Sequence, residues 1–160
     1  NSHLSPSFAL ALTVASEQLT TILSRLVLKN EAWLEGASFE FKKIWYYHAL
    51  EELEHKSVAF DLYDEVKGPN WLRLYSFVQV CFVFCFFIIQ LMACFLWVDK
   101  KNLSFKALSE LGSFCRLLLS AVPSFLSSCY AYFKPSFHPN NEDDTELLNL
   151  YKKKVKAFCF

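Results

Sequence analysis

The sequence predicts an all-α protein, a bundle of long helices, and three observations carry that prediction. Only three of its 160 residues are Gly and five are Pro, too little turn punctuation for a sandwich or barrel of this length. Hydrophobic residues reach 54% and aromatics 18%, with seventeen Phe. The apolar positions recur with helical spacing in several long runs. The length suits a single domain with a real core, spanning 1–160.

Each helix has its own signals. Residues 7–29 carry Leu10, Val14, Leu19, Ile22, Leu23, Leu26 and Leu28 on helical spacing, with Ser5 or Ser7 to cap and Pro6 to suit the first turn. Residues 30–38, with Asn30, Gly36 and Ser38, read as a connection. Residues 39–66 read as one long helix stopped by Gly68-Pro69-Asn70. A third helix covers 71–98 and ends before Asp99-Lys100-Lys101-Asn102. Ser104 caps a fourth over 105–132, which Pro123 should kink. Pro135 and Pro139 break the chain, Asn140–Asp144 turn it, and a short basic helix covers 144–157. The expected organisation is a ligand-bearing helix pair over 7–66, an apolar helical hairpin over 71–133, and a polar, basic tail over 134–160.

Charge and cysteine narrow the function. Sixteen basic residues balance sixteen acidic ones, so no nucleic-acid partner is expected. The six Cys form no CxxC pair and lie mostly in Phe-rich runs, which reads as reduced core residues in a reducing compartment. No secretory signal is legible, and the start at Asn-Ser-His without Met reads as an excised boundary.

The chemistry concentrates in the second helix. His48, Glu51, Glu52 and His55 stand at i, i+3, i+4 and i+7 and share one face. Phe41 and Ile44 precede them on that stripe, and Ala59, Leu62 and Val66 follow, so the stripe is expected to face the core. Carboxylates buried there need a cation or a partner. A divalent metal accepts Glu oxygen and His nitrogen together. Glu52-x-x-His55 is also the pair used by carboxylate-bridged di-metal bundles. Glu17 is the one acidic residue of the first helix. It lies beside Thr13, Thr20, Thr21 and Ser24, whose hydroxyls could support a site as outer donors. The bland reading of both groups is a solvated charged face.

The run HALEELEHKSVAFDLY, over 48–63, resembles the signature of a bacterial family of predicted metal-dependent hydrolases. ALTVASEQLTT around Glu17 and YFKPSFHPN around His138 also look familial. The pattern His48-x-x-x-Glu52-x-x-His55 is similar to the ligand helix of p-aminobenzoate N-oxygenase-like di-iron enzymes. The resemblance implies a partial ferritin-like bundle with metal ligands Glu17, His48, Glu52 and His55, and Glu51 as a catalytic base or outer acceptor. It implies two iron ions, with manganese or zinc as alternatives. A ferritin-like site also needs further Glu ligands and a second Glu-x-x-His. The resemblance implies that these lie upstream of Asn1. Glu110 is an isolated candidate, and His138 reads mainly as a structural hydrogen bonder. Glu54, Lys56 and Asp61 fall outside the ligand set.

Residues 77–98 carry no charge across 22 positions, long enough to span a bilayer. Trp71, Tyr75 and Trp97 flank them as an interfacial belt would. Gln79 and Gln90 interrupt the run, and a soluble bundle's central helix is the alternative. Three functions remain open. One is oxygen-dependent oxidation of a small apolar or aromatic substrate at a di-metal site, in a bacterial cytoplasm or at its inner membrane. Another is metal-assisted hydrolysis. The last is a non-catalytic, membrane-associated bundle. A homo-oligomer is among the arrangements considered.

Overall fold

The computed structural model describes residues 5–98 and 105–157. Helix α1, Pro6–Lys29, is the axis of the fold and touches every other helix. Its start follows the sequence closely. The Ser5 hydroxyl accepts the Phe8 N–H at 3.3 Å, and Pro6 occupies the first turn, where no N–H is missed. A short 3₁₀ turn, Glu31–Leu34, follows, capped by Asn30. Then come α2, Phe39–His55, and α3, Val58–Glu65. Helices α4, Asn70–Val98, and α5, Phe105–Tyr132, are the long apolar pair. A second 3₁₀ turn, Pro139–Asn141, leads to α6, Thr145–Ala157. The described residues contain no strand, and the all-α expectation stands.

The predicted 39–66 helix is in fact two helices. Lys56 and Ser57 form a turn directly after His55. Propensity alone gives no reason to stop there. The reason is tertiary: the Lys56 ammonium is held at 2.5 Å by the Glu142 carbonyl and at 2.7 Å by Asp144. Ser57 then starts α3 without a side-chain cap. Helix α3 ends as expected near Gly68-Pro69-Asn70. The Tyr63 ring lies so close over Gly68 that a Cβ there would sit 2.3 Å from it, and the Tyr63 hydroxyl donates to the Pro69 carbonyl at 2.9 Å.

The break and the packing overturn one expectation. The stripe of Phe41, Ile44, His48, Glu51 and His55 does not face the core. Phe41 is 48% exposed and Ile44 66%, and Leu62 and Val66 are exposed on α3. Helix α2 instead buries Tyr46, Ala49, Leu50 and Leu53 against Leu28, Leu34 and Tyr151. Its sequence offers two apolar faces a part-turn apart, and the neighbours α1 and α6 decide which is buried. Those buried side chains are worth about 1.5–3 kcal/mol each for the larger residues.

Helix α6 packs against the fold. Tyr151 is buried, its ring 5.0 Å from that of Tyr46, and its hydroxyl donates to the Leu28 carbonyl at 2.7 Å. Lys152 pairs with Glu54 at 2.5 Å.

The foot of α4 meets the end of α5. Buried Arg73 donates to the Tyr132 carbonyl at 2.9 Å, and Phe77 stacks on Tyr132 with Phe137 alongside. Beyond that contact α4 and α5 bury almost nothing. Both are long and apolar enough to cross a membrane, over Asn70–Phe95 and Leu111–Tyr132. Phe82 is 74% exposed and Trp97 81%. A soluble bundle's central helix would be covered, and within this chain α4 is not. Helix α5 runs through Pro123 without interruption. Cys85, Cys94 and Cys115 are exposed on these helices rather than in the core, and no described Cys forms a disulfide. The Ser104 cap, the 99–102 turn and Cys159 lie outside the described residues, as does the Glu110 side chain.

Candidate metal centre

Of the predicted ligands, His48 and Glu52 lie within reach of each other on α2, and a hydrogen bond ties Glu52 to α1. Glu52 is the pivot. It sits at the edge of the buried face of α2, next to Ala49 and Leu53, with its side chain 17% exposed. The Thr20 hydroxyl of α1 approaches its Oε2 at 2.6 Å. That hydroxyl also lies 3.0 Å and 3.1 Å from the Glu17 and Ser16 carbonyls, but it has one proton, and the carboxylate is the nearest and strongest acceptor. His48, one turn earlier, brings Nε2 to 3.5 Å from Glu52 Oε1 and Nδ1 to 4.0 Å from Glu51 Oε2. Glu17 completes the seam from α1. Burial pushes its carboxyl above the ordinary range, the Glu52 charge pushes the same way, and the His55 charge opposes them.

The charges of Glu52 and His55 are felt at Glu17 across the two helices, while His55 also borders a cleft with Lys152, Val155 and Lys156 of α6. The expected outer donors are only partly there. Thr20 reaches Glu52, while Thr13 turns back to its own helix at the Ala9 carbonyl, 3.2 Å away. Thr21 and Ser24 are buried in the core. Glu51 and His48 are both about half exposed, so no dry pocket encloses them.

The donor set fits a divalent cation in its chemistry. Two carboxylates, one of them partly buried and raised, are driven together beside two imidazoles, and a cation relieves that repulsion. The side chains are arranged to satisfy one another. Among the described residues, no group of three or more His, Cys, Asp or Glu is drawn together tightly enough to hold a metal ion.

A family model for predicted metal-dependent hydrolases matches residues 1–143. This chain is a member of that family. The match takes in both seam helices and ends just before α6. No curated protein and no solved structure matches the chain. The family description implies a metal ion for this predicted metal-dependent hydrolase.

Two further clusters sit outside the seam. Arg25 binds Asp144 through Nε at 2.7 Å and Nη2 at 2.9 Å and also pairs with Glu142, while Lys56 joins the same aspartate. Sequence reading missed this network. Its one signal was a lone Arg in an apolar helix, and its partner lies over a hundred positions away. The second cluster joins two of the familial stretches. His138 Nδ1 accepts the Asn140 N–H at 3.2 Å, which leaves the proton on Nε2 to be donated to Asp61 Oδ1 at 2.8 Å. Both ring nitrogens are engaged, so His138 is the structural hydrogen bonder it was expected to be.

Proposed function

We propose that Glu17, His48, Glu52 and His55 are the protein's share of a metal centre, and that the chain acts as a metal-dependent hydrolase on an apolar substrate. The observation that carries this reading is the Thr20–Glu52 hydrogen bond, which ties the Glu-x-x-His of α2 to the helix that carries Glu17. Bound there, a metal would lower the pKa of a coordinated water and polarise a carbonyl. The chain's own groups divide the remaining work. Thr20 fixes the Glu52 carboxylate by donating to Oε2. Glu51, exposed and 4.0 Å from His48, is placed to take a proton from solvent-accessible water or to hold the imidazole.

One feature favours a second reading. Carboxylates from adjacent helices, with Glu-x-x-His and an extra His one turn earlier, are residue types that would hold two irons, with Glu17, His48, Glu52 and His55 among the ligands. That ferritin-like centre would support oxygen-dependent oxidation of a small apolar or aromatic molecule. We also place α4 and α5 in a lipid bilayer, because α4 is apolar all round and uncovered and α5 beside it is long and apolar enough to cross with it.

Metal analysis of the purified full chain separates these readings. One zinc per chain with esterase or amidase turnover supports the hydrolase. Two irons per chain with a near-ultraviolet charge-transfer band and oxygen-dependent turnover support the oxidase. No metal after growth in metal-rich medium, with melting unchanged by chelation, overturns both.

A further inference from the structure

We infer that the groove between α1 and α4 holds the acyl chain of a membrane lipid. The groove has a volume of about 560 Å³, within the range of about 300–1,000 Å³ usual for ligand sites. Leu12, Leu19 and Leu23 on α1 face Val83, Phe84 and Phe87 on α4, and no charged residue lines it. Its polar groups are confined to Ser16, Thr20 and Gln79. Thr20 is the residue that approaches the Glu52 carboxylate at 2.6 Å.

The chemistry of the lining selects the occupant. One wall is α4, whose outer faces are exposed and apolar along a segment long enough to cross a bilayer. A groove opening beside such a helix is filled from the lipid phase without the ligand entering water. A lining without charge, several leucines and phenylalanines long, fits an acyl chain. The inference rests on the bilayer placement of α4 proposed above and not on the metal centre.

The test uses the full chain in vesicles of phosphatidylcholine and phosphatidylglycerol that contain a phospholipid with a diazirine on its acyl chain. After photolysis, labelled residues are mapped by mass spectrometry. The expected result is labelling of Leu12 and Leu23 on α1 as well as of outward Phe82 and Ile89 on α4. Val83→Trp, at an exposed position, fills the groove and is expected to lower the α1 labelling about tenfold while sparing Phe82 and Ile89. Leu12→Trp fills it from the other wall and is expected to act alike. Labelling of α4's outer faces alone, or α1 labelling unchanged by both variants, overturns the inference. Groove protection found only in a dimer, without acyl labelling, assigns the groove to a second copy and also overturns it. Metal content is read on the same samples. Groove labelling without bound metal upholds the acyl site and removes only the metal-centre reading; bound metal without α1 labelling does the reverse.

Discussion

Thr20 makes the most informative single contact. Its hydroxyl ties Glu52 to α1 at 2.6 Å, a hydrogen bond to a carboxylate that controls where that carboxylate points. Thr20→Val keeps the shape and removes the donor. It is expected to weaken metal binding about 10- to 100-fold, the usual effect of losing an outer hydrogen bond to a ligand, in a competition titration with a chelating dye. His55→Ala and Glu52→Ala are expected to abolish uptake altogether. The residue scale was partly legible in the sequence. Spacing placed His48, Glu51, Glu52 and His55 on one face, and they are there. It could not say that the face looks outward, because Phe41 and Ile44 are as apolar as the Tyr46, Leu50 and Leu53 that α2 buries. Asp61 is similar: nothing local told it to meet His138, 77 positions away. His138→Phe is expected to cost about 1 kcal/mol in urea unfolding through loss of that hydrogen bond.

At the scale of elements, the turn at Lys56–Ser57 separates the ligand helix from α3, and the pull comes from the far end of the chain. Asp144 collects Arg25 and Lys56 in a nearly dry position. Burial pushes its carboxyl up, but hydrogen bonds and charge from Arg25 and Lys56 outweigh burial and hold it below the ordinary carboxylate range. A carboxyl lowered on folding adds stability above its unfolded value of about 3.9, and that stability is lost as pH falls through the lower folded value. The melting temperature should therefore fall steeply in acid. Asp144→Asn is expected to flatten that acid limb and to destabilise at neutral pH by about 3–5 kcal/mol, since it removes the one charge that Arg25 and Lys56 share and leaves them only Glu142. Thermal melts across pH for both proteins check the sign. The sequence marked most helix ends through Ser5, Pro6, Gly68 and Pro69, where local chemistry decides. It missed the α2–α3 break because that break is made by a partner 88 positions away.

At the scale of the molecule, composition foretold the all-α class and the apolar pair, while the docking of α6 was not foreseen. Its Lys-rich surface reads as tail, and its anchorage depends chiefly on Tyr151. The surface of α4 has a direct consequence. A charge at the centre of a bilayer-spanning helix costs about 2.5–3.5 kcal/mol of insertion. Phe86→Arg and Ile89→Arg, both at exposed positions, should each reduce insertion of α4 by that amount in a glycosylation-mapped assay. An unchanged inserted fraction for both would remove the bilayer placement.

Thr20 is shared by two neighbourhoods: it lines the α1–α4 groove and it touches the Glu52 carboxylate. Thermodynamic reciprocity follows from that sharing. Whatever factor a groove occupant applies to metal affinity through this hydroxyl, the metal must apply to the occupant's affinity in return. A metal titration repeated with and without lipid would then read the same coupling from either side, and one side chain would set its size.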